Sequence, residues 1–117
     1  MIDKITYLET DLEKYPLAFT LNVMESIQNE YGSLSNWSEL IQNAKEPNIK
    51  ALKFFITESI NEGIDIENET AETKREFLTE KQVGRIITEL GIEKMTEKVQ
   101  ETVIDSTKNE NEEEKNV

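Results

Sequence analysis

The sequence predicts an α+β fold that is mainly α, with a short N-terminal β-hairpin, four to five amphipathic helices and a disordered acidic C-terminal tail. Three observations lead to this fold class. Apolar and polar residues alternate in two short runs near the N-terminus, as they do in strands. Apolar residues then recur at helical spacing between capping signals and glycines. The chain closes with a run of charged and amide side chains over residues 108–117.

The first two elements are predicted strands, at Ile5–Leu8 and at Tyr15–Phe19, with a polar turn between them. Because proline has no backbone N–H, Pro16 places the second strand at a sheet edge or marks its first residue. A hairpin is the simplest arrangement of this pair. One face of the second strand carries the residues Tyr15, Leu17 and Phe19.

Two helices follow the hairpin. Thr20 is the predicted N-cap of the first helix, and Gly32 is predicted to end it. Asn36 and Glu39 have the spacing of a capping box, which predicts that a short second helix opens there. The apolar face of the first helix is formed by Leu21, Val23, Met24, Ile27 and Tyr31, and that of the second by Trp37, Leu40 and Ile41.

The third helix is predicted to be the central and most buried one. Pro47 suits its first turn, and Gly63 is predicted to end it. Phe54 widens an already broad apolar face. A polar loop is expected over residues 64–76. The apolar stripe consists of Ile49, Leu52, Phe55, Ile56 and Ile60.

The clearest local signal opens the fourth helix. Thr79 and Gln82 form a capping box, while Leu78 and Val83 occupy the positions of a hydrophobic staple. Gly91 closes this helix, and a fifth continues to about residue 107 with Ile92, Met95, Val99 and Val103 on one face. We therefore expect a single domain over residues 1–107 and a disordered acidic tail over residues 108–117.

Composition limits the function. The chain has 117 residues, with 25 Asp and Glu against 13 Lys and Arg, a formal net charge of −12. Such a field repels phosphate, so direct binding of nucleic acid or of an anionic membrane is not expected. The chain contains neither Cys nor His, which removes disulfides, the usual zinc ligands, the commonest general base and the best nucleophile. We expect a cytoplasmic, non-enzymatic binding protein without cofactor or metal.

One acidic run needs separate treatment, because Asp65, Glu67 and Glu69 alternate as ligands of a hard cation do. An EF-hand loop requires glycine at its sixth position and glutamate at its twelfth. Counted from Asp65, these positions hold Thr70 and Glu76, so the turn glycine is missing. A solvated acidic loop is the expected structure.

Apolar and aromatic side chains are the candidates for contact with a partner. Trp37 either packs in the core or anchors an interface, where tryptophan is enriched. The aromatic strand is either a core face or an edge that pairs with another chain. The last helix has a narrow apolar stripe and either packs back or lies in a partner's groove. The candidate residues are Tyr15, Leu17, Phe19, Trp37, Met95, Val99 and Val103.

Three segments resemble the tail assembly chaperones of long-tailed phages of Gram-positive hosts. YPLAFTLNVMESIQNEYGS (15–33), followed by a tryptophan helix, is similar to their N-terminal part. EPNIKALKFFITESINEG (46–63) and FLTEKQVGRIITELG (77–91) resemble their later helices. The resemblance covers roughly residues 15–107 and rests on overall pattern, without a catalytic signature.

The resemblance implies a protein that binds the long helical tape measure protein and recruits tail tube subunits around it. It also implies a place in the host cytoplasm and absence from the mature virion. Homo-oligomerisation is left open. The alternative from another class is an acidic inhibitor that imitates nucleic acid and blocks a host or phage enzyme, since the high negative charge suits both functions.

Overall fold

The computed structural model describes the backbone from Ile5 to Lys115 and the side chains from Ile5 to Ser106. It confirms the predicted fold class, an N-terminal hairpin followed by five helices. The elements are β1 (Ile5–Glu9), β2 (Lys14–Ala18), α1 (Leu21–Tyr31), α2 (Leu34–Leu40), α3 (Ile49–Asn68), α4 (Glu80–Leu90) and α5 (Ile92–Lys115). Among the described residues, no helix combines the length and the apolar character needed to cross a membrane.

The hairpin is a two-stranded antiparallel sheet in which Tyr7 lies opposite Pro16. Each strand of such a sheet has a free edge, so the proline is accommodated as the sequence predicts. Both faces of β2 are buried, since Pro16, Leu17 and Ala18 are all inaccessible to solvent. This strand therefore belongs to the core instead of presenting one open face.

The core is built around α3, which contacts β2, α1, α4 and α5. The Phe55 ring stacks on Trp37 at 4.9 Å between centroids and packs on Phe19 at 5.3 Å. The Trp37 indole N–H donates to the carbonyl oxygen of Ala51 at 3.1 Å, so the buried indole is hydrogen-bonded. The fully buried apolar residues of α3 are Ala51, Leu52, Phe55, Ile56, Ile60 and Ile64.

The prediction that Gly63 ends α3 is wrong, because the helix continues to Asn68. A Cβ atom at Gly63 would lie 2.9 Å from the Cβ of Pro16 and 3.0 Å from its carbonyl carbon. Gly63 therefore allows β2 to pack closely against the helix and does not end it. The predicted polar loop consequently begins later, and Ile64 joins the core while Asp65 lies on the helix.

Two N-terminal details of α1 and α2 also differ from prediction. Thr20 occupies the N-cap position of α1, but its hydroxyl donates to the Glu62 carboxylate instead of capping the helix. Ser33, not Asn36, caps α2, since its hydroxyl accepts the Asn36 N–H at 3.0 Å. Leu21 is 63% exposed and so lies outside the buried face of α1.

Pro47 does not lie in the first turn of α3 as predicted, because Asn48 caps that helix and Pro47 precedes the cap. The helix-end signals of α4 and of the two other glycines are confirmed. Thr79 and Gln82 form the predicted reciprocal capping box, and Val83 of the staple is buried. Gly32 and Gly91 have φ angles of 89° and 101°, a region that L side chains rarely adopt.

The last helix is longer than predicted, because its backbone is helical as far as Lys115, well past the expected end near residue 107. The side chains after Ser106, together with residues 116–117, lie outside the described part of the structure. The prediction of a disordered acidic tail over residues 108–117 does not fit this helical backbone as far as Lys115.

Two glycine substitutions test the contact between the hairpin and α3. We expect Gly63→Ala to lower the free energy of unfolding by about 1–3 kcal/mol, because its methyl group would overlap backbone atoms of Pro16. Gly84→Ala in α4 is the matched control, since its nearest atoms belong to the flexible Lys53 side chain at 3.8 Å. That control should stabilise by about 0.5–1 kcal/mol through helix propensity. Urea unfolding measures both, and equal gains would contradict the close-approach interpretation.

The link from β1 to α3 should depend on pH. The Tyr7 hydroxyl donates to the Glu67 carboxylate at 2.6 Å, and this hydrogen bond raises the pKa of Tyr7 above its usual 10.0. A raised folded pKa stabilises the fold below the unfolded pKa, and this contribution is lost as the pH rises through the folded pKa. Urea unfolding should therefore show a difference between wild type and Tyr7→Phe near neutral pH that shrinks above about pH 10. A difference that stays constant with pH would contradict it.

Candidate partner-binding site

The residues predicted to contact a partner lie mostly in the core. Five of them are at most 4% exposed: Leu17, Phe19, Trp37, Met95 and Val99. Tyr15 and Val103 are partly buried and pack against the same core. Of the two interpretations weighed for Trp37 and for the aromatic strand, the structure shows core packing. Contact of these side chains with a partner stays a prediction, and it would require the domain to open.

Other apolar side chains are exposed, and none of them is a predicted partner contact. Leu40, Ile49 and Ile92 are among them, although the sequence places them on the apolar faces of their helices. Leu12 is 97% exposed at the hairpin turn, and Phe77 is 57% exposed just before the capping box of α4. The sequence position of Phe77 could have indicated its exposure. Leu78 occupies the staple position that packs on Val83, so Phe77 beside it has no predicted packing partner. The exposed large apolar residues are Tyr7, Leu12, Leu21, Leu40, Ile49, Phe77, Ile92 and Ile104.

The segment that carries Phe77 is held against α3 by two asparagine side chains. We call residues 69–79, which join α3 to α4, the strap. The Asn68 amide exchanges two hydrogen bonds with the backbone N–H and carbonyl of Arg75, both at 2.9 Å. The Asn61 amide does the same with Leu78, at 2.8 and 3.0 Å. Because Asn61 and Asn68 are two helical turns apart, both project from one face of α3.

The strap places Phe77 at a groove between α1 and α3. Leu78, its neighbour, is fixed by Asn61 and partly buried against the core. This groove, which we call the α1–α3 groove, has a volume of about 300 Å³. Its walls are Asn22, Val23 and Ser26 from α1, Glu58, Asn61, Glu62 and Asp65 from α3, and Phe77 from the strap.

The α1–α3 groove is acidic. Glu58, Glu62 and Asp65 are spaced four and three residues apart, which puts them on one face of α3. Glu62 accepts hydrogen bonds from the Thr20 hydroxyl and, at 3.0 Å, from the Asn22 amide. No lysine or arginine is among the described residues that line the groove. The groove therefore combines negative charge, amide hydrogen-bonding groups and one exposed aromatic ring.

A second groove, of about 260 Å³, has different charge. It lies between β1 and the start of α5, where Lys94 and Lys98 stand beside Leu90 and Met95. Lys14 approaches it from the neighbouring strand, with its Nζ 4.6 Å from the centroid of the Tyr7 ring. The domain thus has an acidic groove between α1 and α3 and a lysine-bearing groove between β1 and α5.

The acidic run considered as a cation loop does not form a loop. Asp65 and Glu67 lie on α3, and Glu67 accepts the Tyr7 hydroxyl. Within the described residues, no group of three or more possible ligand side chains is arranged to hold a metal ion.

Comparison with protein-family models, with curated proteins and with solved structures found no match.

Removal of the Asn61 side chain, which holds Leu78 by two hydrogen bonds, should release the strap. We expect Asn61→Ala to lower the free energy of unfolding by about 1–3 kcal/mol, because the backbone N–H and carbonyl of Leu78 lose their partner. Asn29→Ala, at an exposed position of α1, is the matched control and should change stability by less than about 0.5 kcal/mol. Hydrogen exchange at the Leu78 amide should accelerate only in Asn61→Ala. An unchanged exchange rate at the Leu78 amide would contradict the conclusion that Asn61 holds the strap in place.

Proposed function

We propose that this protein is a non-enzymatic tail assembly chaperone, which binds a tape measure protein and recruits tail tube subunits around it. In this proposal the protein acts in the host cytoplasm and is absent from the mature virion. Binding, not chemistry, is the role that the geometry supports best.

The observation that carries the proposal is the set of large apolar side chains held in solvent on a strongly acidic domain. Leu21 and Phe77 are more than half exposed, and Phe77 lines the α1–α3 groove. Ile104 is 62% exposed on α5. Where such side chains come together in one patch, they favour contact with another protein. A net charge of −12 keeps such a domain from associating with itself non-specifically.

The resemblance of residues 15–107 to tail assembly chaperones supports the identity of the partner. A tape measure protein is a long helix, and a helical client presents apolar side chains at regular spacing along one face. A shallow groove beside the exposed Phe77 suits such a client better than a small molecule, which needs a deep and mostly enclosed cavity.

The second candidate is an acidic inhibitor that imitates nucleic acid. One feature favours it, the row of Glu58, Glu62 and Asp65 along α3, which repeats negative charge along a straight element as a phosphate backbone does. The exposed Phe77 beside this row favours the chaperone, because an aromatic ring contributes nothing to imitation of phosphates.

Affinity capture separates the two functions. The tagged protein would be recovered from cells that produce the phage, washed at high salt, and its partners identified by mass spectrometry. We expect a very long helical protein and a tail tube subunit to remain, because contacts with an apolar centre tolerate salt.

Recovery of a single basic nucleic-acid enzyme that is lost as salt rises would refute the chaperone function and support the inhibitor. A matched capture with Leu21→Ser and Phe77→Ser serves as the control. Loss of the helical partner from this variant, with an unchanged circular dichroism spectrum, would assign the contact to the exposed apolar side chains.

A further inference from the structure

We propose that the α1–α3 groove is the place where this protein receives a basic side chain, a lysine or arginine that projects from an otherwise apolar helix of its partner. The inference rests on the proposed function in taking the partner to be a protein. It adds the site on this chain and the chemistry of the group that enters it.

Shape is the first argument. At about 300 Å³ the groove lies at the lower end of the volumes of ligand pockets, roughly 300–1,000 Å³, so it suits one long side chain and not a drug-sized ligand. Val23 forms an apolar part of its wall, while Asn22, Ser26 and Asn61 supply polar groups. The stem of a lysine or arginine packs on apolar surface, and its head requires acceptors.

Charge complementarity is the second argument. Glu58, Glu62 and Asp65 give the groove three carboxylates and no cation of its own among the described lining residues. The ion pairs that the structure describes use other carboxylates, Glu13 with Arg75 and Glu30 with Lys50. A cation in the groove is therefore opposed by no residue of the wall, whereas an anion is repelled by three.

The aromatic ring at the rim is the third argument. Phe77 is 57% exposed although both ends of its segment are fixed, Leu78 by Asn61 and Arg75 by Asn68. An aromatic face attracts a lysine or arginine head group, and the domain already uses this contact twice, with Lys14 on Tyr7 and Arg75 on Tyr15. The apolar neighbours of the basic residue would rest on Phe77.

The test uses the full chain and two synthetic peptides. Both are capped amphipathic helices, one with a single arginine on its apolar face and one with citrulline in its place, which keeps the shape and removes the charge. Binding is followed by amide and side-chain NMR shifts. We expect the arginine peptide to shift the side-chain amides of Asn22 and Asn61 and the backbone of Phe77, with affinity about fivefold to tenfold above that of the citrulline peptide.

Charge-neutral variants locate the site. Glu58→Gln with Asp65→Asn removes two carboxylates for which no hydrogen bond is described, and it should weaken the arginine peptide by about fivefold to tenfold. Glu93→Gln with Glu97→Gln, at exposed positions of α5, makes the same change of net charge and should weaken it less than twofold. Phe77→Ala should weaken both peptides.

Equal affinity for the two peptides would overturn the proposal, as would equal losses of affinity in the groove and α5 variants. NMR shifts at residues outside the groove, or no binding at millimolar peptide, would also overturn it. Groove shifts that depend on protein concentration without peptide would assign the groove to a second copy and also overturn it. Capture of a tape measure protein by the Glu58→Gln, Asp65→Asn variant at wild-type yield would overturn the groove while leaving the chaperone function intact.

Discussion

The close contact between Pro16 and the backbone of α3 at Gly63 is the constraint on which the rest of the domain depends. Only a residue without Cβ leaves room for the strand to lie against the helix, with a Cβ-to-Cβ separation that would otherwise be 2.9 Å. This approach buries both faces of β2 and brings Phe19 onto Phe55. Because Phe55 also stacks on Trp37, the hairpin, α3 and α2 form one connected core.

Local signals predicted the fold well, and contacts distant in sequence caused the errors at Gly63 and Thr20. The capping box at Thr79 and the positive-φ glycines Gly32 and Gly91 act within one helical turn, so the sequence contains all the information they need. The sequence predicts a helix end at Gly63, because glycine is common there. Its actual neighbour is Pro16, and no local pattern identifies that contact. Thr20 was diverted from capping by Glu62 in the same way.

The candidate site was less predictable than the fold, for a physical reason. Apolar and aromatic residues were selected as interface candidates, but those residue types also form the core, so Trp37 and Val99 proved to be buried. To predict the groove, one must instead know which polar residues from separate segments come together around an exposed ring. Packing of α1 on α3 brings Asn22 near Asp65, and the strap, held by the side chains of Asn61 and Asn68, adds Phe77 to them.

The acidic face of α3 carries an electrostatic cost that folding alone does not explain. Glu58 and Glu62 are four residues apart, and Glu62 and Asp65 three, and like charges at these spacings destabilise a helix by about 0.2–0.5 kcal/mol per pair. Asp65 and Glu67 also stand near the C-terminal end of the helix dipole, where negative charge is unfavourable, and the last turn holds no basic residue. If a cation binds in the groove as proposed, it would relieve this repulsion, and partner binding would then stabilise α3. Under that proposal the arrangement of carboxylates would cost least when the groove is occupied.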